Sequence, residues 1–525
     1  MRRNDELSIG ALPQFFGEGA GSSPSPRQKT AEAVVPELYF TDLVALREPT
    51  TFDGVSHQPL LSAGEHAGDL GLIDGIPFIL DDDGSYDHHL NRFFRECPTM
   101  GARSPNTIKA YALDILTFSR FLHEQRHGKG IWKADRQDLI AFHRARRLTD
   151  HSARISASSW NRSVTAFEKF YGWARDEGLL TTTPFGKRDW IKISRTPRGP
   201  AQGQRYSYRE AGARHHDMRY VGLDRFYSFR DIGLRGRQSD GRDNPDWRGR
   251  HGERDALFAE LLVCTGLRLE EATSLLPADL PRHDDPALGA DRSCPLKLPA
   301  AICKGGKGRE IRVPRRLLRR IDQYVGIERS QIVARWREHR RWDNIRQPIM
   351  VQGWSRDFAL VSDRNGQSRR RRDGLLPSER RRLLMVDAAG LPLEPAALWL
   401  TDDGRPMRPS TWEAVFARAE ARCRQNGLDI HITPHMLRHV FAVHMLSLLI
   451  RAQLGWIGPD PDQKSAAYRR VIGDPLQKLQ RLLGHASIAS TYIYLDSLDE
   501  ARMLVDKAAG DFADTLDDLE IGAPA

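Results

Sequence analysis

The chain has 525 residues, with 79 lysines and arginines against 69 aspartates and glutamates, and a formal net charge of +10. This length exceeds that of one ordinary domain, so two or three domains are expected, and 40% hydrophobic residues suffice for their cores. The basic balance suits a polyanionic partner, and a membrane protein is excluded because no apolar stretch approaches the roughly 20 residues of a membrane span.

The cysteines exclude a disulfide framework. They are five in number, scattered, and without the spacing of metal ligands: Cys97, Cys264, Cys294, Cys303 and Cys423. Reduced thiols in a cytoplasm are the expected state. The first residues lead into no long apolar run, so no signal peptide is expected.

Residues 1–85 are expected to form an N-terminal extension, partly disordered, because residues 1–36 are rich in Gly, Ser, Pro and Ala. Residues 86–186 show helical periodicity and predict a small helical bundle. Its second helix starts at Ser104, with Pro105 at the first helical position. The expected helices are Tyr86–Cys97, Ser104 to about Glu124, Lys133–Arg147 and Ser158–Glu177.

Residues 187–250 are dense in Arg, Gly and Asp, with aromatic residues interleaved. This composition predicts a basic linker or insertion. Three alternatives stay open for it: it follows the backbone of a polyanion such as DNA, it packs on the next domain, or it is a flexible solvated linker.

A second domain is expected over residues 251–510, with insertions at about 315–395 and 450–474 and a C-terminal tail at 511–525. A helix from Asp255 to Cys264 leads into Arg268. Strands at Leu296–Ile302 and Glu310–Val313 flank a Gly-rich turn that carries two lysines, Lys304 and Lys307. The first insertion contains arginine runs at 369–372 and 380–382. A helix is expected over Leu504–Leu519; the family resemblance described below implies that it docks on a neighbouring protomer, and a solvated tail is the alternative.

The next helix combines a strong start with two polar residues on one face. Thr433 is a good N-cap residue and Pro434 suits the first helical position. His435 and Arg438 are three residues apart, so both project from one face of the first turn. The free backbone N–H groups at this end favour an anion.

A further helix, Pro475–Leu483, stops at Gly484, a residue that readily forms the left-handed turn after a helix. His485 follows at once, and Tyr494 comes nine positions later. A tyrosine hydroxyl has a pKa of about 10 and is a poor nucleophile at neutral pH. It becomes useful when nearby cations stabilise the phenolate and the charge on the group that it attacks.

Five motifs occur in one order: Thr-Gly-Leu-Arg-x-x-Glu at 265–271, Lys-Gly-Gly-Lys at 304–307, His-x-Leu-Arg-His at 435–439, Leu-Gly-His at 483–485, and the tyrosine at 494. In this order and spacing the chain resembles the tyrosine recombinase (phage integrase) family. The resemblance implies a mainly α fold with a small β-sheet, in which an N-terminal helical core-binding (SAM-like) domain precedes a mixed α+β catalytic domain.

The resemblance also implies the role of each site residue. Arg268 and Arg438 would clamp the phosphate, His435 and His485 would hydrogen-bond it, and His435 would help to accept the tyrosine proton. Lys304 would be the general acid, with Lys307 as its competitor. Tyr494 would be the nucleophile, with Tyr492 as its rival. No metal or cofactor is implied. His439 and His444 are expected to be packing residues. The expected DNA contacts are Lys307, Arg309, Lys109, Asn161 and Arg162, and Arg154 and Lys169 are further candidates.

The implied activity is site-specific DNA recombination or integration through a 3′-phosphotyrosyl intermediate, serving a mobile element. The implied assembly is a homo-tetramer on two DNA duplexes, with accessory DNA-bending or directionality proteins. Two alternatives remain. One is DNA relaxation like that of a type IB topoisomerase, which shares the chemistry. The other is a catalytically silent DNA-binding accessory protein.

Overall fold

The computed structural model divides into two compact units, residues 1–216 and 217–525. The residues that it describes are 36–42, 50–52, 55–58, 74–81, 83–102, 104–149, 154–185, 187–192, 201–206, 208–210, 221–289, 291–345, 347–355, 358–363, 366–455, 474–495 and 498. The predictions for residues 1–35, for most of the insertion at 450–474, for the helix at 504–519 and for the tail at 511–525 lie outside these ranges.

Helices build the first unit. They are α1 (His88–Glu96), α2 (Pro105–Gln125), α3 (Arg136–Arg147) and α4 (Ala157–Asp176). Asp87, Asp135 and Ser156 cap three of them by accepting hydrogen bonds from first-turn N–H groups. Phe118 of α2 and Phe167 of α4 are fully buried, with ring centroids 5.1 Å apart. The apolar faces of the helices therefore meet in one aromatic core.

Part of the N-terminal extension belongs to this core. Strand β1 (Glu37–Phe40) pairs with β4 (Pro77–Leu80) in an antiparallel ribbon, and β2 (Thr50–Phe52) pairs with β3 (Val55–His57). Ile79 is 1% exposed. The Asn91 side chain of α1 accepts a hydrogen bond from the Ile79 N–H at 2.7 Å and donates one to its carbonyl at 2.9 Å. These bonds tie the ribbon to the helices.

The first half of the expected linker also joins the first unit. Strands β5 (Lys187–Lys192) and β6 (Ala201–Tyr206) form an antiparallel pair. After them, the Glu210 carboxylate binds the Arg147 guanidinium, with an Nη2–Oε2 distance of 2.6 Å, and lies 2.7 Å from Nε2 of His143. Asn161 donates to the Glu210 carbonyl and accepts from its N–H.

The second half of that segment packs in the second unit. Helix α5 (Leu223–Ser228) continues into a π-helical turn, Phe229–Leu234. Phe226, Phe229 and Leu234 are buried in the same core as α6 (Gly252–Thr265). Of the three alternatives left open for residues 187–250, packing on the next domain describes residues 223–234. Only a few apolar residues form this contact, and they do not stand out in a segment whose composition is dominated by Arg, Gly and Asp.

A hairpin follows α6 and α7 (Leu269–Thr273). Its strands, β7 (Ser293–Leu298) and β8 (Arg309–Pro314), pair in antiparallel register from Ser293 with Pro314 to Leu298 with Arg309. Residues Ala300–Ile302, expected in the first strand, form a 3-10 turn instead. The hairpin leads into α8 (Arg315–Tyr324) and, after a π-helical turn, α9 (Ser330–Glu338).

The insertion expected at 315–395 contains an ordered five-stranded sheet with strand order β11-β10-β9-β12-β13. Its elements are β9 (Ile349–Trp354), β10 (Phe358–Asp363), β11 (Gly366–Arg371), α10 (Pro377–Arg380), β12 (Leu383–Val386) and β13 (Pro392–Pro395). Arg380 is 1% exposed and pairs with Asp279 at 2.6 Å. One residue of the arginine runs is therefore structural, since a buried guanidinium needs a buried partner.

The remaining helices are α11 (Pro409–Gln425), α12 (Pro434–Gly455), α13 (Pro475–Leu483) and α14 (Ala489–Tyr492). The Trp412 ring of α11 stacks on Phe258 of α6, with ring centroids 3.6 Å apart. The predicted fold class, mainly helical with small sheets, is confirmed. Among the described residues, no helix has the length and apolar character needed to cross a membrane.

Candidate active site

Arg268 is positioned by a glycine turn. Gly266 ends α6 with φ of 64°, and a Cβ at this position would lie 2.3 Å from the Phe441 ring. Both the left-handed backbone and the close approach require glycine. The chain then turns into α7, where Glu271 accepts hydrogen bonds from the Arg268 backbone N–H at 2.8 Å and from its Nη1 at 2.9 Å. The Arg268 guanidinium is thus held at the start of α7.

Arg309 holds Glu271, the carboxylate that binds Arg268. Its Nη1 and Nη2 each lie 2.7 Å from a carboxylate oxygen of Glu271, and its Nε donates to the Leu482 carbonyl at 2.8 Å. The Arg309 side chain is 8% exposed and that of Glu271 is 1% exposed. The donors of Arg309 are bound inside the protein, and its predicted role as a DNA contact stays a prediction.

Arg438 connects the ends of two helices. Its Nη1 donates to the carbonyl of Gly266, at the end of α6, at 2.5 Å, and its Nη2 donates to that of Leu483, at the end of α13, at 2.6 Å. Arg268 Nη2 donates to the neighbouring Gly484 carbonyl at 3.2 Å. Carbonyls at helix ends carry partial negative charge, so they hold two like-charged guanidiniums side by side. Burial and Arg268 lower the pKa of Arg438 to about 9, at which it is still charged at neutral pH.

Tyr494 is buried, and its hydroxyl contacts His439, a histidine predicted to be a packing residue. The side chain is 1% exposed, whereas Tyr492 is 49% exposed. His439 Nδ1 lies 3.1 Å from the Tyr494 hydroxyl. A sequence signal was available, because His439 follows Arg438 directly and lies four residues after His435 on the same helix face. Burial raises the pKa of Tyr494 above its ordinary value, although Arg438 and Arg268 oppose the change.

Two further histidines border this group. His435 and His439 lie edge to face, with ring centroids 4.6 Å apart, and the His485 ring is stacked on Tyr494 at 6.1 Å. His485 Nδ1 is 3.0 Å from the Thr491 hydroxyl. Burial, Arg438 and Arg268 lower the pKa of His485 to about 4, and the same causes hold that of His435 below its ordinary value. Both rings are therefore neutral hydrogen-bonding groups at neutral pH.

The two lysines lie on an exposed turn between β7 and β8. Gly305 and Gly306 have φ of 76° and 67°, and this left-handed backbone forms the tight turn from Lys304 to Lys307. Lys304 is among the charges that lower the pKa of His435. The choice of Lys304 over Lys307 as the lysine of the site stays a prediction.

The cleft is open beside these groups. A cavity of about 420 Å³ is lined in part by Arg268, His435 and Arg438, so one anion can reach both guanidiniums. Among the described residues, no cluster of three His, Cys, Asp or Glu side chains has a geometry that could hold a metal ion. The two guanidiniums that line the cavity suit a phosphate group, since they are planar, charged donors.

The side chains expected to contact DNA in the first unit differ in how many partners they already have within the protein. Asn161 donates to the Glu210 carbonyl and accepts from the Glu210 N–H, and it stays a prediction. Arg162 pairs with Asp114 at 3.0 Å but keeps 55% of its side chain exposed. The Lys109 ammonium lies 5.4 Å from the centroid of the Phe40 ring. Arg162 and Lys109 stay predictions.

The remaining two first-unit candidates contact backbone carbonyls. Arg154 donates from Nε to the Thr149 carbonyl at 2.7 Å and from Nη2 to the Leu148 carbonyl at 3.1 Å. Lys169 lies 3.5 Å from the Met100 carbonyl. Like Arg162 and Lys109, these two residues stay predictions.

Comparison with known proteins gives matches in both units. Residues 90–178 match the family model described as phage integrase, N-terminal SAM-like domain, and residues 246–450 match the phage integrase family. Tyrosine recombinase XerC of Alcanivorax borkumensis is 23% identical over 77% of this chain and 88% of its own length. Tyrosine recombinase XerD of Mycobacterium tuberculosis is 25% identical over 74% and 86%.

Solved structures give weaker matches. A XerH site-specific recombinase in a post-cleavage complex with palindromic difH substrate is 14% identical, covers 82% of this chain and 86% of its own, and has a TM-score of 0.44. A Tn1549 transposon integrase in complex with transposon right end DNA is 12% identical, covers 80% and 99%, and has a TM-score of 0.42. The catalytic family match ends at residue 450, so the positions of His485 and Tyr494 rest on the geometry described above.

Proposed function

The chain belongs to the tyrosine recombinase (phage integrase) family, and we propose that it is a site-specific DNA recombinase that cleaves and rejoins strands through Tyr494. One observation carries the assignment of its residues. Side chains from separate segments of the chain lie together. Arg438 and Arg268 bind the carbonyls of residues 483 and 484, directly before His485, and the His485 ring stacks on Tyr494. His435 lies against His439, which contacts the Tyr494 hydroxyl.

The reaction is a transesterification. The Tyr494 oxygen attacks the phosphorus of a DNA phosphodiester while its hydroxyl proton passes to a neighbouring base. An O–P bond to the tyrosine forms, and the bond from phosphorus to the 5′-oxygen breaks. Lys304 gives its proton to the leaving 5′-oxygen, so the products are a 3′-phosphotyrosyl link and a free 5′-hydroxyl. A 5′-hydroxyl from a partner strand then attacks the link, and the same steps run in reverse.

The two arginines supply the electrostatic part of catalysis. Negative charge concentrates on the non-bridging oxygens in the transition state, and guanidiniums are permanently charged, planar donors that match phosphate oxygens. Because the carbonyls of Gly266, Leu483 and Gly484 already hold Arg438 and Arg268, no reorganisation is needed when the charge develops. His435 and His485, both neutral, donate hydrogen bonds to the same phosphate.

The partner that follows from this chemistry is double-stranded DNA carrying a recombination site. We place the reaction in a homo-tetramer on two duplexes, since each exchange needs two pairs of strands. The proposed reaction uses accessory DNA-bending or directionality proteins, and the gene belongs to a mobile genetic element. The proposed location is a bacterial cytoplasm, at the nucleoid when DNA is bound.

The test uses nicked DNA that traps the covalent intermediate, because the short strand released beyond the nick cannot return to attack it. The duplexes carry inverted-repeat sequences from the DNA flanking the gene. Wild type and Tyr492→Phe are expected to give a denaturant-resistant protein–DNA adduct, and Tyr494→Phe is expected to give none while binding the same DNA. An adduct that persists in Tyr494→Phe and disappears in Tyr492→Phe would move the nucleophile, and tight binding without any adduct would favour a catalytically silent protein.

A further inference from the structure

The contact between His439 and Tyr494 is fixed by packing on both sides. His439 lies one residue after Arg438 in α12, and Tyr494 follows α14 and is 1% exposed. The ring centroids are 5.7 Å apart with an interplanar angle of 51°, and Nδ1 lies 3.1 Å from the hydroxyl. An edge nitrogen of the imidazole therefore points at the atom that attacks phosphorus, at hydrogen-bond distance.

The reaction needs a proton acceptor at this atom. Burial raises the pKa of Tyr494, and the arginines oppose this rise only in part. The phenol is therefore protonated at neutral pH, and its proton must leave as the O–P bond forms. A phenolate generated in advance would cost more in this buried site than one generated as the phosphorus approaches.

The two other histidines of the site are less well placed to take the proton. His485 Nδ1 is engaged with the Thr491 hydroxyl at 3.0 Å, and its ring lies nearly parallel to Tyr494, with an interplanar angle of 16°. The His435 ring contacts the edge of His439, so it is one ring further away. Within the described residues, His439 is the hydrogen-bond partner that the structure gives to the Tyr494 hydroxyl.

We propose that His439 is a catalytic residue, which accepts the Tyr494 proton at Nδ1 during cleavage and returns it during rejoining. This inference rests on the proposed recombinase function. In cleavage the tyrosine O–H bond breaks, the Nδ1–H bond forms, the tyrosine O–P bond forms, and the 5′-oxygen leaves with the proton of Lys304. In rejoining, the incoming 5′-hydroxyl gives its proton to Lys304 and His439 gives its proton back to Tyr494. No external acid, base or energy source is consumed.

The test separates activation of the tyrosine from positioning of the phosphate. Rates of adduct formation on nicked DNA are measured for wild type, His439→Gln, His439→Ala and the control His444→Gln, a histidine later in the same helix. Loss of a general base costs about 10²–10⁴-fold, so both His439 variants are expected to fall by at least about 100-fold and the control to stay near wild type. Thermal melts check folding, and His439→Gln serves if His439→Ala does not fold.

A second arm excludes a purely structural role. In a Tyr494→Phe background, hydrogen peroxide is supplied as an external nucleophile, and DNA cleavage is measured with and without His439→Gln. Cleavage is expected to be equal, because peroxide does not need the tyrosine's base, whereas adding Arg438→Ala is expected to abolish it. Equal loss in both arms would make His439 structural, and an adduct rate within about three-fold of wild type would overturn its role. A wild type without adduct would defeat the recombinase function itself, and the inference with it.

Discussion

The guanidinium of Arg309 and the carboxylate of Glu271 form a bidentate ion pair beneath the cleft, with both nitrogen–oxygen distances at 2.7 Å. Although burial opposes ionisation, Arg309 and Arg268 hold the pKa of Glu271 below its ordinary value. The same carboxylate fixes the backbone and the side chain of Arg268. The pair therefore fixes the position of Arg268, one of the two phosphate-clamp arginines, relative to strand β8.

Removal of Arg309 is expected to act on stability. In Arg309→Ala the buried carboxylate of Glu271 loses its main partner, which should lower the free energy of unfolding by about 3–5 kcal/mol. Urea denaturation measures it. The control is Arg312→Ala, on the same strand but 52% exposed, which should change stability by no more than about 0.5 kcal/mol. Equal, small losses for both variants would contradict the buttressing role.

The two clamp arginines should differ in stability and agree in activity. Arg268→Ala and Arg438→Ala are each expected to slow strand cleavage by about 100-fold or more, because each removes charge stabilisation from the transition state. Arg438→Ala should also lower the melting temperature more, since it leaves the carbonyls of Gly266 and Leu483 without their partner, whereas the Arg268 side chain is 25% exposed. Adduct assays and thermal melts measure both effects. Near-normal cleavage in either variant would refute the clamp.

Acid should destabilise the second unit through His485. Its pKa in the folded protein, about 4, lies below the ordinary value of 6.5, so the unfolded chain binds the proton first as pH falls. This contribution to stability is complete above pH 6.5 and is lost as pH falls from 6.5 to 4. By pH 5 the loss is at most about 2 kcal/mol. His485→Gln should therefore lose less stability than wild type between pH 7 and pH 5, measured by denaturant titration. His339→Gln, at an exposed position, is the control. Identical losses in wild type and His485→Gln would count against the shifted pKa.

DNA binding should weaken steeply as salt rises, because bound counterions are released when lysines and arginines neutralise phosphates. Lys307→Ala is expected to reduce the slope of log K against log salt by about 0.9, the contribution of one phosphate contact. Asn161→Ala is the matched control, since Asn161 is uncharged and holds Glu210. Fluorescence anisotropy at several salt concentrations gives the slopes. A slope that Lys307→Ala does not change would remove this lysine from the interface.

Much of the fold could be predicted because it depends on local signals. The start of α2 after Ser104, with Pro105 at its first position, and the end of α13 at Gly484 are fixed by backbone preferences that a few residues carry. For residues 223–234, packing on the next domain stayed one of three open alternatives, because Phe226 and Phe229 lie in a segment whose overall composition is polar. Burial of such residues depends on distant partners.

The sequence by itself determined the family, and it predicted most of the polar residues of the site, because the order and spacing of the motifs can be read without coordinates. Only the tertiary structure decided which of these side chains are bound to partners inside the protein and which are exposed. Arg309 and Lys307 stand two residues apart, yet one is bound to Glu271 inside the protein and the other lies on an exposed turn. Likewise, His439 contacts the Tyr494 hydroxyl across 55 residues of sequence. Hydrogen bonds and ion pairs depend on distances of about 3 Å between remote segments, and local sequence patterns carry no information on those distances.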